Sequence, residues 1–166
     1  GSPFTFSVTT TGTPTPTITE TGILPSGVTF VASSNGTATI SGTPAASTGG
    51  DDKITLRAAN SAGSASQSFV LVVDQAPAIT SAPGDTVKAG KSFSFAIKTS
   101  GFPTATLSES GTLPSGVSFV ANANGTATIS GTLAAGTAAS YTITITATNA
   151  VGTPALQTFV LVVTKS

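Results

Sequence analysis

The 166-residue chain has no cysteine, histidine, methionine or tryptophan. Without cysteine and histidine it has no thiol nucleophile, no Ser-His-Asp triad, no haem ligand and no zinc site of the usual kind. The absence of cysteine also removes any redox argument about compartment. Charge is almost as scarce. Six lysines and arginines balance six aspartates and glutamates, and charged residues make up 7%, against roughly 25% in ordinary soluble domains. A neutral chain with scattered cations lacks the footprint of a nucleic-acid binder, so nucleic acid is not expected as a partner. Long apolar runs are missing too. The longest, 69–73 and 159–163, are strand-sized and far from the roughly 18 residues of a membrane-spanning helix, so membrane insertion is not expected. No basic segment followed by an apolar one opens the chain. Gly1-Ser2 has the look of a cloning remnant. The chain is read as a fragment, with any export signal or anchor outside it. No enzyme is expected.

What the chain does have is serine and threonine, 54 residues of the two together, and an internal repeat. Gly22-Ile23-Leu24-Pro25-Ser26-Gly27-Val28 returns as Gly111-Thr112-Leu113-Pro114-Ser115-Gly116-Val117, and 35–43 return unchanged as 124–132. The run 69–73 returns as 159–163, one residue later than the rest, so the second copy has one extra residue in its last hairpin. More than half of the aligned positions are identical. The boundary is placed between 75 and 76, giving repeat 1 at 1–75 and repeat 2 at 76–166. The first copy starts at the equivalent of Gly90, so it lacks the counterpart of the preceding stretch. It is expected to be without an opening strand, which leaves an edge open to pairing.

Glycine and proline punctuate the chain at the spacing of an all-β sandwich. Phe93, Phe95 and Ile97 alternate with Ser92, Ser94 and Ala96, and Tyr141, Ile143, Ile145 and Ala147 alternate with threonines. This is the pattern of half-buried antiparallel strands with one apolar face and one hydroxyl-bearing face. Threonine keeps β propensity without charge because it is β-branched. Asn35-Gly36 and Asn124-Gly125 predict two-residue hairpins in which both residues take positive φ. Asn60 to Gly63 and Asn149 to Gly152 predict the turns between the last two strands of each copy. Leu-Pro-Ser-Gly predicts a turn that Gly27 and Gly116 relieve.

These motifs in this order resemble the immunoglobulin-like tandem repeats of large bacterial surface proteins, related to cadherin-like and dystroglycan-type domains. The resemblance covers essentially the whole chain. It implies two tandem Ig-like antiparallel β-sandwiches, on a secreted or surface-exposed protein, serving as a stalk or as an adhesion module. The partners it implies are neighbouring repeats of the parent chain and a surface polysaccharide or protein ligand. The fragment itself is expected to be a monomer. Calcium would come with the cadherin side of the resemblance. However, Val73-Asp74-Gln75-Ala76-Pro77 keeps one carboxylate where that motif is rich in acids, and no cofactor is expected.

A few residues could carry more than structure. Glu20 and Glu109 are the acids shared by both copies. They are read as hydrogen-bond acceptors near strand ends, since a lone carboxylate falls far short of a calcium shell. Asp51-Asp52-Lys53 is read as a solvated loop. Asn60 and Asn149 could enter a Lys–Asn cross-link, but no lysine is shared between the copies, so they are read as turn residues. Eight of the nine phenylalanines fall at repeat-matched strand positions and are read as core. Phe102 replaces Thr13 of the first copy and is read as an exposed loop aromatic. It is the expected ligand contact if there is one.

Overall fold

The computed structural model describes residues 1–165, and none of them is helical. No helix long and apolar enough to cross a membrane is therefore present among the described residues. The chain divides into two compact units at Gln75/Ala76.

The first unit contains β1 (Phe4–Thr9), β2 (Thr17–Gly22), β3 (Val28–Ala32), β4 (Thr37–Gly42), β5 (Gly50–Asn60) and β6 (Gly63–Val73). They form two three-stranded sheets, in the orders β1-β4-β3 and β2-β5-β6. The second unit contains β7 (Gln75–Ile79), β8 (Gly84–Lys88), β9 (Ser92–Phe102), β10 (Thr106–Gly111), β11 (Val117–Ala121), β12 (Thr126–Thr132), β13 (Ala139–Thr148) and β14 (Ala155–Thr164). Its sheets have four strands each, in the orders β11-β12-β9-β7 and β10-β13-β14-β8. The two units share one plan, and the second adds β7 beside β9 and β8 beside β14. Within one sheet, β14 runs antiparallel to β13 and parallel to β8, the latter over Val160↔Gly84 to Thr164↔Lys88.

The alternation seen in the sequence sets the core. In β9, Phe93 and Ile97 are buried and Phe95 is half-buried, while Ser92, Ser94 and Ala96 are exposed. In β13, Ile143, Ile145 and Ala147 face inward, and Phe159, Leu161 and Val163 of β14 meet them. Ile129 of β12 closes this core from the opposite sheet. The first unit has the same plan but a smaller buried set, Val28, Ile40, Ile54 and Leu56, ringed by half-buried Phe4, Val8, Leu24, Phe30, Phe69 and Leu71. The reading of the repeat-matched phenylalanines as core needs one correction: Phe6 is 44% exposed, because no strand lies outside β1 among the described residues.

The Leu-Pro-Ser-Gly segments are tight turns. The Val28 and Val117 amides donate to the carbonyls of Pro25 and Pro114, at 3.0 and 3.1 Å. Gly27 and Gly116 have φ of 86° and 89°. Their carbonyls accept from Thr43 and Thr132 and lie against Gly42 and Gly131, where a Cβ would run into them. Glycine is needed on both sides of this approach.

Candidate functional site

The asparagines singled out in the sequence all act on backbone. The Asn60 side chain donates through Nδ2 to the Pro14 carbonyl at 2.6 Å. Its Oδ1 accepts from the amides of Ala62 and Gly63 at 2.9 and 3.2 Å. Asn149 repeats the arrangement, donating to the Pro103 carbonyl at 2.8 Å and accepting from Val151 at 3.2 Å. Each asparagine thus shapes its own hairpin and clasps it to the loop that joins β1 to β2 or β9 to β10. The clasped loops follow the cis bonds Thr13–Pro14 and Phe102–Pro103. Both ends of each amide are engaged by main chain, which is a structural arrangement. The hairpins themselves differ. Asn60 pairs directly with Gly63, whereas the second unit has a longer loop in which Ala150 and Gly152 take φ of 63° and 66°.

Asn35 and Asn124 correct the two-residue expectation. The loops have four residues: β3 ends at Ala32 and β4 begins at Thr37, and the Ser33 amide donates to the Thr37 carbonyl at 2.8 Å. Positive φ falls on Gly36 and Gly125, at 77° and 76°, and not on the asparagines. The asparagines instead accept from the second residue onward. Asn35 Oδ1 takes the amide and hydroxyl of Thr37 at 3.2 and 2.6 Å, and Asn124 does the same with Thr126. This local capture is the alternative that asparagine offers to a turn with positive φ at both positions.

Phe102 is likewise corrected. It is the last residue of β9 and is half-buried, neither in a loop nor fully exposed. Asp51, Asp52 and Lys53 lie inside β5 and not in a loop.

The carboxylates bring no constellation together. Glu20 stands on β2 opposite Leu56, and Glu109 on β10 opposite Ile145. Each shares a strand face with a buried residue, Ile18 or Leu107. One oxygen of each is buried without a hydrogen-bond partner, as is one of Asp52. The acceptor role expected of Glu20 and Glu109 is therefore absent at those atoms. Among the described residues no three acids gather where a metal ion could be held. A groove of about 250 Å³ beside the Asn60 clasp is lined by Thr11, Pro16, Ala59, Asn60, Ala62 and neighbouring small residues. It has neither a charge nor an aromatic platform to grip a ligand.

The chain is similar to known proteins in two ways. A family model described as "Putative Ig domain" matches residues 1–74 and, again, 76–164. Among solved structures, a titin A168–A169 fragment is 16% identical with a TM-score of 0.73, over 98% of this chain and 90% of that one. The titin tandem A164–A165 is 13% identical with a TM-score of 0.65, over 100% and 90%. The titin I-band fragment I67–I69 is 24% identical with a TM-score of 0.52, over 99% of this chain, which spans 61% of that fragment. At these identities the likeness is one of fold. No curated protein matches the chain.

Proposed function

We propose the following role for a chain that belongs to the "Putative Ig domain" family in both of its units: it is a non-catalytic spacer in a secreted or surface-exposed bacterial protein. In this reading it stands among neighbouring repeats of the same kind, contacts neither nucleic acid nor membrane, and needs no cofactor. The observation that carries the reading is the use made of the repeat-shared polar residues. Asn35, Asn60, Asn124 and Asn149 all spend their side chains on main chain or on a neighbouring threonine. At the shared Leu-Pro-Ser-Gly turns, Gly27, Gly42, Gly116 and Gly131 meet backbone, not an open pocket. Duplication has thus preserved a scaffold. A surface rich in threonine and poor in charge fits a role in which little is recognised.

The test is a binding survey of the two-unit protein against cell-envelope fractions and a panel of polysaccharides, with and without calcium. The spacer reading expects no saturable binding to any fraction. Saturable binding that Phe102→Ala weakens would replace it with an adhesion or carbohydrate-binding role. Binding that appears only with calcium would bring back the cadherin-like expectation.

A further inference from the structure

The five asparagines of the chain use their carboxamides in two ways. In Asn60, Asn122 and Asn149 the nitrogen is held. Nδ2 donates to the Pro14 carbonyl at 2.6 Å, the Thr126 hydroxyl at 2.9 Å and the Pro103 carbonyl at 2.8 Å, respectively. Asn35 and Asn124 are exposed, and their Nδ2 atoms donate to nothing among the described residues. Their Oδ1 atoms are engaged instead. Asn35 Oδ1 takes the hydroxyl and the amide of Thr37 at 2.6 and 3.2 Å, and Asn124 Oδ1 takes those of Thr126 at 2.7 and 3.2 Å. The next residue differs as well: it is glycine after Asn35 and Asn124, and serine or alanine after the other three.

Gly36 and Gly125 are buried, and they are fixed through their carbonyls, which accept from the hydroxyls of Thr10 and Thr99 at 2.8 and 2.6 Å. A Cβ at either position would crowd the same hydroxyl at 3.1 or 3.0 Å, so the turn admits only glycine there. Their amides are not fixed. Neither N–H donates to a carbonyl or a side chain among the described residues. Each exposed asparagine is therefore followed by a backbone nitrogen with no hydrogen-bond partner and no side chain to screen it from the carboxamide carbon.

The geometry points to Asn35-Gly36 and Asn124-Gly125 as matched sites of intramolecular deamidation, one at the same loop tip of each unit. The Gly36 nitrogen loses its proton to solvent base and bonds to Asn35 Cγ. The hydroxyl and amide of Thr37 already point at Oδ1, where negative charge develops as the carbon becomes tetrahedral, and they stabilise it there. The bond from Cγ to Nδ2 then breaks. Nothing holds Nδ2 in place, so it takes up a proton and departs as ammonia. The product is a five-membered succinimide. Water opens it at Cγ to leave aspartate, or at the Asn35 main-chain carbonyl to leave isoaspartate, whose backbone is longer by one methylene. Water is the one co-reactant, and nothing is oxidised or reduced. Thr126 plays the part of Thr37 at Asn124. Each conversion adds one negative charge, so a chain of net charge zero moves to −2. Asn60, Asn122 and Asn149 stay as they are, because their nitrogens are held and the residue that follows carries a side chain. The two loop tips thus record the age of the molecule as charge.

The test is incubation of the folded chain in neutral and mildly alkaline buffer, followed over time by isoelectric focusing and by peptide mapping. Two successive acidic species should appear, faster at the higher pH because the attacking nitrogen must lose its proton. Mapping should place aspartate and isoaspartate at positions 35 and 124 and leave Asn60, Asn122 and Asn149 intact. Thr37→Val removes the hydroxyl donor and keeps the branched shape. It should slow conversion of Asn35 several-fold, with Asn124 in the same molecule as the unchanged control. A folded chain that stays unmodified while the urea-unfolded chain converts would overturn the proposal, since the fold would then protect these sites. Conversion of Asn60 or Asn149 at the same rate as Asn35 would also overturn it, because a held nitrogen would then make no difference. An unchanged rate in the Thr37→Val chain would remove the hydroxyl from the mechanism and overturn the part assigned to Thr37 and Thr126.

Discussion

Gly42 and Gly131 have φ of 145° and 155°, and a Cβ on either would run into the carbonyl of Gly27 or Gly116. An alanine there must both adopt a disfavoured backbone and push two segments apart. Gly131→Ala is expected to cost about 2 kcal/mol or more in urea unfolding of the second unit. An alanine at Gly136 also meets the wrong φ, but nothing stands within 4 Å of its Cβ, so its cost should be smaller. Asn60→Ala removes the clasp to Pro14 and two acceptor contacts. It should lower the stability of the first unit by about 1–3 kcal/mol. The residue type of this clasp was readable in the sequence, and its partner was not. Asparagine before a short turn predicts local capture of the next amides, which is what Oδ1 does. The bond to Pro14 spans 46 positions and exists only once the two loops meet. Asn35 was misread for a related reason. Asn-Gly suits a two-residue turn, but a nearby threonine hydroxyl offers the side chain a partner that favours the longer loop.

At the scale of strands, the two copies form an internal control. Phe69 and Phe159 occupy matching positions, on β6 and β14, in an identical five-residue run. The second unit adds Ile79 of β7 and Val87 of β8 against the core that buries Phe159. Phe159→Ala is expected to cost about 3–5 kcal/mol, the range for a buried phenylalanine. Phe69→Ala should cost clearly less, and urea unfolding of the two variants side by side checks this. The strands themselves were legible because period-two alternation and regular turn residues agree. Phe93, Ile97, Ile143 and Ile145 point inward as read. Phe102 was misplaced because a proline after an aromatic looks like a loop, whereas β9 runs through to Phe102 itself. The Asp51-Asp52-Lys53 cluster was assigned to a loop by its charge. In the structure it pairs with Val72, Leu71 and Val70 along β5–β6, and ladder hydrogen bonds outweigh the weak strand preference of such residues.

At the scale of the whole chain, each unit has a core of its own, and the cores differ in size. Thermal unfolding followed by calorimetry should therefore show two transitions, with the first unit melting at the lower temperature. Hydrogen exchange should assign the early transition to residues of β1–β6. With 7% charged residues, both midpoints should move little between low salt and about 0.5 M salt, since screening has few ion pairs to weaken. A large salt shift would show that the sparse charges carry more of the stability than their number suggests.

The parallel ladder between β8 and β14 has a mechanical consequence. β8 lies near the start of the second unit and β14 at its end, and the two run in the same direction over five paired residues. Tension applied at the two ends of that unit pulls these neighbours in opposite senses along their length. Their hydrogen bonds are then loaded in shear and must fail together, not one by one as in an unzipping hairpin. Among the described residues the first unit has no such pair: β1 is bonded to β4, and β6 to β5. Under a common pulling force the first unit is the fuse and the second is the stop.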